Sequence, residues 1–114
     1  MSELTNDRRV IEEAYADLEL LDNAAGAVER TIAALDRGEV RVAEKVDGEW
    51  RVNVWVKEAI MLYFRLAQLE TTHSGPFEYH DKIPTKHNLA GAGIRVVPPG
   101  TVRYGAFCEP GVVV

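Results

Sequence analysis

The chain has 114 residues, 46% of them hydrophobic and 27% charged, which is the size and composition of one globular domain. Its net charge of −5 comes from 18 acidic and 13 basic side chains without a basic cluster, which argues against general nucleic-acid binding. A single cysteine excludes an intrachain disulfide and a Cys-x-x-Cys site, so we expect a cytoplasmic protein. No signal peptide is apparent, and no apolar run approaches the ~20 residues that cross a bilayer, so we expect no membrane insertion.

Two amphipathic helices are predicted first. Apolar residues recur at helical spacing over residues 7–21 and again over residues 24–37, with acidic side chains on the opposite face of the first. Asp22 and Asn23 supply a stop and an N-cap, and Gly38 stands where a helix C-terminus is expected. The pattern predicts an αα-hairpin with a tight turn.

A β-hairpin and a third helix are predicted next. The hydrophobic period changes to two over residues 39–54, around a strong Asp-Gly turn signal at 47–48. Residues 55–69 then present a broad apolar helical face. An isolated hairpin is marginally stable in water, so we expect this helix to cover it, with Trp50 and Trp55 packed in the core between them.

The stretch that follows lacks a sustained period. Residues 71–86 contain Gly75, Pro76 and Pro84, which predicts an irregular ordered loop rather than a fourth helix. Residues 88–93 are small and uncharged, and they are the best candidate for a flexible linker.

The last nineteen residues have a period of six. An apolar or cysteine side chain recurs at Val96, Val102, Cys108 and Val114. Proline and glycine occupy fixed places between these anchors, which is typical of a parallel β-helix, although an irregular valine-rich edge strand would fit the same spacing. The period predicts domains at 1–93 and 94–114, and it predicts that Cys108 is a small buried hydrophobe rather than a nucleophile.

Several basic side chains are candidate ligands of a metal ion or an anion. The three histidines are spaced by seven: His73, His80 and His87. Because Pro76 and Pro84 break any helix through them, we expect solvated or locally hydrogen-bonded loop histidines and no metal site. Lys82 and Lys86 have the spacing to face an anion, but surface lysines are the expectation, so neither is assigned to a site.

Five blocks of the chain, in order and spacing, resemble the tetrahydrodipicolinate N-succinyltransferase family. They are EVRVAEKVDGEW (39–50), WVKEAIMLYFR (55–65), YHDKIPTK (79–86), GIRVVPP (93–99) and VRYGAF (102–107). The resemblance runs from about Ala24 to Val114, and earlier residues match only in helical character. It implies an α+β fold, with a helical hairpin, a β-hairpin and a third helix followed by the truncated start of a left-handed parallel β-helix.

The resemblance also implies a function. Members of the family transfer succinyl from succinyl-CoA to the amino group of 2-amino-6-oxopimelate, the ring-opened substrate, in the lysine and diaminopimelate pathway of bacteria. They are trimers whose active sites lie between neighbouring β-helices. The family's substrate-binding arginine falls on Arg95, and a guanidinium can hold a carboxylate of a dicarboxylate substrate with two parallel hydrogen bonds. Succinyl-CoA is the co-substrate of the complete enzyme, and no bound cofactor is expected in this chain.

The sequence departs from the family in ways that we expect to affect its activity. Later coils of the β-helix are absent from the sequence, and with them the family's acidic catalytic residue and its CoA-binding surface. We therefore expect no catalytic residue in this chain and no activity from it alone. His87 stands where the family usually has an aromatic residue. A truncated reading frame, an expressed fragment and a proteolytic remnant remain open, as does a stand-alone interaction or regulatory domain that kept the fold and lost the chemistry.

Overall fold

The computed structural model describes residues 2–114, with side chains from residue 4 onward. Its elements are α1 (Ser2–Ala16), 3-10 turns at Leu18–Leu20 and Asp22–Ala24, α2 (Ala25–Asp36), β1 (Ala43–Val46), β2 (Glu49–Val52), α3 (Val54–Leu66), β3 (Glu70–Ser74), β4 (Phe77–Asp81) and α4 (Leu89–Ala92). The two sheets are two-stranded and antiparallel, so the α+β class is confirmed. Within the described range, no helix is long and apolar enough to cross a membrane.

The hydrophobic core lies between α1, α2 and α3. Its largest fully buried apolar side chains are Ile11, Val28, Val56 and Leu62. Each such side chain stabilises the fold by roughly 1.5–3 kcal/mol relative to an exposed one. Asp7 on α1 is also buried, and its carboxylate accepts two hydrogen bonds from the guanidinium of Arg30 on α2, at 2.8 and 2.9 Å. The core therefore includes one charged contact that fixes α1 against α2.

The connection between α1 and α2 is longer than the predicted tight turn. Helix α1 ends at Ala16, because Asp17 adopts an extended conformation and its carboxylate accepts a hydrogen bond from the amide of Glu19 at 3.1 Å. Aspartate often competes with a helix in this way. The end of α2 is as predicted: Gly38 has a φ of +75°, and its amide donates to the carbonyl of Leu35.

The first hairpin turns where predicted. Asp47 and Gly48 both have positive φ, 51° and 82°, as a two-residue turn of this type requires. The prediction that Trp50 is a core residue was wrong, because its side chain is 72% exposed and β2 projects away from the helices. Only the base of the hairpin packs on the core, where Val42 precedes β1 and Trp55 follows β2.

A second hairpin replaces the predicted irregular loop. Strands β3 and β4 pair from Glu70–Asp81 to Ser74–Phe77, around a turn that contains Gly75. All of β3 and most of β4 are exposed, so neither strand has a face that the rest of the protein covers. Backbone pairing rather than burial defines this element, and helix α3 accordingly ends at Leu66 instead of Leu69.

The predicted flexible linker is also ordered. Asn88 has a φ of +60°, and helix α4 follows it directly. The amide of Ile94 donates to the carbonyl of Leu89 at 3.1 Å, and the side chain of Ile94 is buried. A Cβ at Gly91 would meet the side-chain amide of Asn88. These contacts order the segment, so it is not a flexible linker, while the domain boundary at 93/94 stays a prediction.

Candidate functional site

The C-terminal segment, residues 93–114, closes on itself through parallel backbone pairing. Arg95 pairs with Val113, eighteen positions later. The Arg95 amide donates to the Val112 carbonyl at 3.0 Å, and its carbonyl accepts from the Val114 amide at 2.8 Å. The amide of Val97 donates to the Val114 carbonyl at 2.8 Å. One turn of this segment therefore takes three of the six-residue periods found in the sequence.

Arg95 points away from this turn. Ile94 is buried and Val96 is half-buried, whereas Arg95 between them is exposed, as alternation along an extended chain requires. Within the described residues, the guanidinium of Arg95 forms no ion pair or hydrogen bond. Its planar fork of N–H donors can therefore receive a carboxylate without first breaking an internal contact.

The hexad anchors are only partly covered. Val96, Val102 and Cys108 are half-buried, and Val114 is 42% exposed. Cys108, predicted to be a small buried hydrophobe, is therefore half-buried rather than buried, and that it is not a nucleophile stays a prediction. A single turn of chain covers a side chain from one direction only, which leaves the anchors partly accessible.

The prediction that Lys86 is a surface lysine was wrong. Its side chain is 5% exposed, and its ammonium donates to the carboxylate and the backbone carbonyl of Asp36, both at 2.8 Å. The same carboxylate oxygen accepts a hydrogen bond from the amide of Gly105 at 2.9 Å. The end of α2, the strand-like stretch before α4 and the C-terminal segment thus meet at one carboxylate. Fifty positions separate Asp36 and Lys86, so no local sequence signal identifies the pair.

Lys82 and two of the three histidines contact other groups of the chain. The ammonium of Lys82 donates to the carbonyl of Phe64 at 2.8 Å, near the C-terminal end of α3. His80 shares a hydrogen bond of 2.7 Å with the hydroxyl of Thr71, and His73 lies 3.7 Å from a carboxylate oxygen of Glu78. His80 is therefore locally hydrogen-bonded, whereas His73 and His87 are exposed. Among the residues described, no three candidate ligands come together to hold a metal ion.

A second ion pair joins β4 to the C-terminal segment. Arg103 donates to the carboxylate of Asp81, and Thr85 pairs antiparallel with Arg103. Hydrogen bonding from the backbone of Lys82, together with the charge of Arg103, holds the pKa of Asp81 below its usual value. Both side chains are substantially exposed, so removing one partner of this pair should cost less than removing one partner of the buried pair at Asp36.

Two cavities flank the junction between α2 and the C-terminal segment. The larger, of about 320 Å³, is lined by Leu35, Val40, Arg41, Phe107 and Glu109, among others. The smaller, of about 150 Å³, is mostly apolar and includes Tyr63 and Tyr104. Partial burial raises the pKa of both tyrosines, and the carboxylate of Asp36 raises that of Tyr104 further. Arg95 lines neither cavity, so the residue predicted to bind a substrate carboxylate lies outside both.

Comparison with known proteins relates this fold to a family. Residues 7–66, from α1 through α3, match the family model described as tetrahydrodipicolinate N-succinyltransferase N-terminal. The match therefore includes most of α1, which sequence inspection had related to the family only in helical character.

Curated relatives match a longer part of the chain. They include proteins named 2,3,4,5-tetrahydropyridine-2,6-dicarboxylate N-succinyltransferase from three bacteria. The Alkalilimnicola ehrlichii protein is 47% identical over 91 residues, covering 75% of this chain and 34% of the relative. The Bordetella pertussis protein is 44% identical over 115 residues (90% and 42%), and the Coxiella burnetii protein 38% over 120 (96% and 44%). The chain spans less than half the length of these relatives. On the match through α1, α2 and α3, the chain belongs to the tetrahydrodipicolinate N-succinyltransferase family.

Proposed function

We propose that this chain is the N-terminal part of a cytoplasmic, succinyl-CoA-dependent N-succinyltransferase that acts on tetrahydrodipicolinate in lysine and diaminopimelate biosynthesis. Its membership in the family is the observation that carries the proposal. The names of the curated relatives support the substrate class, because they specify a dicarboxylate acceptor and a succinyl group. A dicarboxylate requires cationic groups in the site, and Arg95 is an exposed cation in a matching block.

We further propose that the C-terminal segment is the first coil of a left-handed β-helix. The parallel pairing of Arg95 with Val113 supports a coil of three hexads. Gly105 and Gly111 have positive φ, 99° and 95°, which suits sharp corners between short strands. In the complete protein, further coils would pair with the open edge at residues 112–114. Three such chains would form a homotrimer, with the active sites between neighbouring β-helices.

In this arrangement Arg95 binds a carboxylate of the acyl acceptor. Succinyl transfer requires the acceptor amine to attack the thioester carbonyl of succinyl-CoA and to lose a proton, while the CoA thiol leaves. Two parallel hydrogen bonds from Arg95 fix the position of the acceptor, which keeps its amine close to the thioester. The group that accepts the proton and the surface that binds CoA belong to coils outside this chain. We therefore expect no turnover from the 114-residue chain alone.

The experiment is a chimera in which residues 1–114 replace the matching part of the Bordetella pertussis relative. We expect the chimera to turn over succinyl-CoA and the acceptor. Changing Arg95→Lys keeps the charge but loses the fork, which costs roughly 1–3 kcal/mol and raises the KM for the acceptor about 5- to 150-fold. The KM for succinyl-CoA should stay the same.

The matched control is Arg51→Lys, since Arg51 is an exposed arginine on β2. It should leave both KM values unchanged. Acceptor kinetics unaffected by Arg95→Lys would return Arg95 to the class of surface arginines. A folded chimera with no turnover would instead favour a stand-alone interaction or regulatory domain. Turnover by the purified 114-residue chain would refute the expected division of the site.

A further inference from the structure

We propose that Asp36 and Lys86 are positioning residues that hold the C-terminal segment against the helices and thereby set the place of Arg95. The structural part of this inference stands on the contacts of this chain alone. Its catalytic part rests on the proposed function. Neither side chain is expected to touch substrate.

The pair is a mostly buried ion pair whose hydrogen bonds join three parts of the chain. The Lys86 ammonium is almost entirely removed from solvent, and both of its contacts are to Asp36, at the last residue of α2. A carbonyl at the end of a helix lacks a partner within the helix, and a cation is favourable there. The Asp36 carboxylate in turn accepts from the amide of Gly105. Removing Asp36 would therefore leave the Lys86 ammonium as a buried unpaired charge, and removing Lys86 would leave the mostly buried Asp36 carboxylate without its counter-ion.

The contact at Gly105 reaches Arg95 through a closed ring of chain. The pairing of Arg95 with Val113 closes a loop that contains Gly105. The backbone of Lys86 also joins this loop, because its amide donates to the carbonyl of Val102 at 2.9 Å. The amide of Tyr104 donates to the carbonyl of Pro84 at 2.9 Å. Anchoring one side of a closed ring restricts the orientation of the whole ring, including the strand that carries Arg95.

Apolar contacts at the same junction are the competing explanation. Tyr104 packs against the core, and the Phe107 ring covers Gly38. Apolar contacts contribute stability but little direction, whereas three hydrogen bonds at Asp36, two to its carboxylate and one to its backbone carbonyl, define a single arrangement. If the apolar contacts were sufficient, neutralising the ion pair would not release the segment.

The first test measures amide hydrogen exchange in the 114-residue chain. Asp36→Asn and Lys86→Met each leave one buried charge unpaired, which we expect to accelerate exchange at the amides of Tyr104, Gly105 and Arg95 by about 100-fold. Amides in the core-facing parts of α1 and α2 should keep their rates. The double variant removes both charges and should recover much of the protection, which neither a lost cap nor a general loss of packing would produce.

The matched control is the exposed pair at the same helix end, Arg37 with Glu39, whose side chains are both 57% exposed. Arg37→Met should change exchange at Gly105 less than threefold. Unchanged exchange at Tyr104 and Gly105 in both single variants would overturn the proposal. Equal acceleration at every amide would overturn it too, because that outcome indicates global unfolding rather than release of the segment.

The second test places the same variants in the chimera with the Bordetella pertussis coils. We expect Asp36→Asn and Lys86→Met each to raise the acceptor KM by tenfold or more, with recovery in the double variant and an unchanged KM for succinyl-CoA. An equal rise in the KM values for the acceptor and for succinyl-CoA would contradict a positioning role. An inactive wild-type chimera would count against the proposed function alone, because the exchange experiment on the 114-residue chain does not depend on activity. An active chimera whose acceptor KM ignores both variants refutes the pair alone.

Discussion

The helices and the C-terminal segment of this protein are stabilised in different ways. In α1, α2 and α3, apolar side chains interlock in a core whose largest members are almost fully removed from solvent. In the C-terminal segment, all of whose residues the structure describes, Ile94 is the one buried residue, and backbone pairing with a few anchoring contacts holds the rest. The helices make their own core, whereas the segment depends on what it is attached to.

This difference explains why one chain holds a compact body and a partly exposed coil together. A short segment that is mostly exposed makes few apolar contacts of its own. Fixed attachment to a stable body then compensates for the small number of these contacts. The buried pair between Asp36 and Lys86, together with the ring of Phe107 on Gly38, provides that attachment.

The largest expected effect comes from breaking the helical core. Leu62→Ala removes a side chain that is 1% exposed and leaves a cavity, so the free energy of unfolding should fall by about 3 kcal/mol. The neighbouring control, Met61→Ala, changes a side chain that is 47% exposed and should cost about 0.5 kcal/mol or less. Urea denaturation followed by circular dichroism measures both. Equal losses from the two variants would contradict the core described above.

A smaller effect is expected at the junction between the two regions. Gly38→Ala imposes positive φ on alanine and brings its Cβ to 2.7 Å from the Phe107 ring, so it should cost about 2–3 kcal/mol. Gly48→Ala is the matched control, because it has the same kind of φ but no atom within 4 Å of the new Cβ. Strain alone should cost about 1 kcal/mol there. If thermal denaturation gave the two variants the same loss, the contact with Phe107 would contribute nothing to the attachment.

The smallest effect on the helices is expected from shortening the C-terminal segment. Deleting residues 112–114 removes the backbone partners of Arg95 and Val97, so their amides should exchange freely while the helical core melts as before. The three valines also present exposed side chains and an open edge, which favours edge-to-edge association. Light scattering over a concentration series should show self-association that weakens after the deletion. Strictly monomeric behaviour of both forms would argue against an adhesive edge.

Sequence inspection succeeded wherever a local period reflected one-sided burial. The two helices, the cap at Gly38, the turn at residues 47–48 and the third helix all follow from spacing and from the φ that glycine permits. The outward direction of Arg95 follows from alternation with its neighbours. Each of these features is determined by residues within a few positions of one another, so the printed sequence contains the needed information.

Tertiary structure alone decided the features that depend on distant partners. The exposed Trp50 shows that a strong apolar alternation does not establish which surface will cover it. The second hairpin is defined by backbone pairing rather than by a buried face, and the small residues 88–93 are ordered by contacts instead of being a linker. Lysine is usually found on the surface, and only the contact with Asp36, fifty positions away in the sequence, makes burial of Lys86 favourable. Local patterns determine which segments form helices and turns, because those hydrogen bonds are local. Long-range packing decides whether a charged side chain is buried or exposed, because the energy of the charge depends on its partner and on the surrounding solvent.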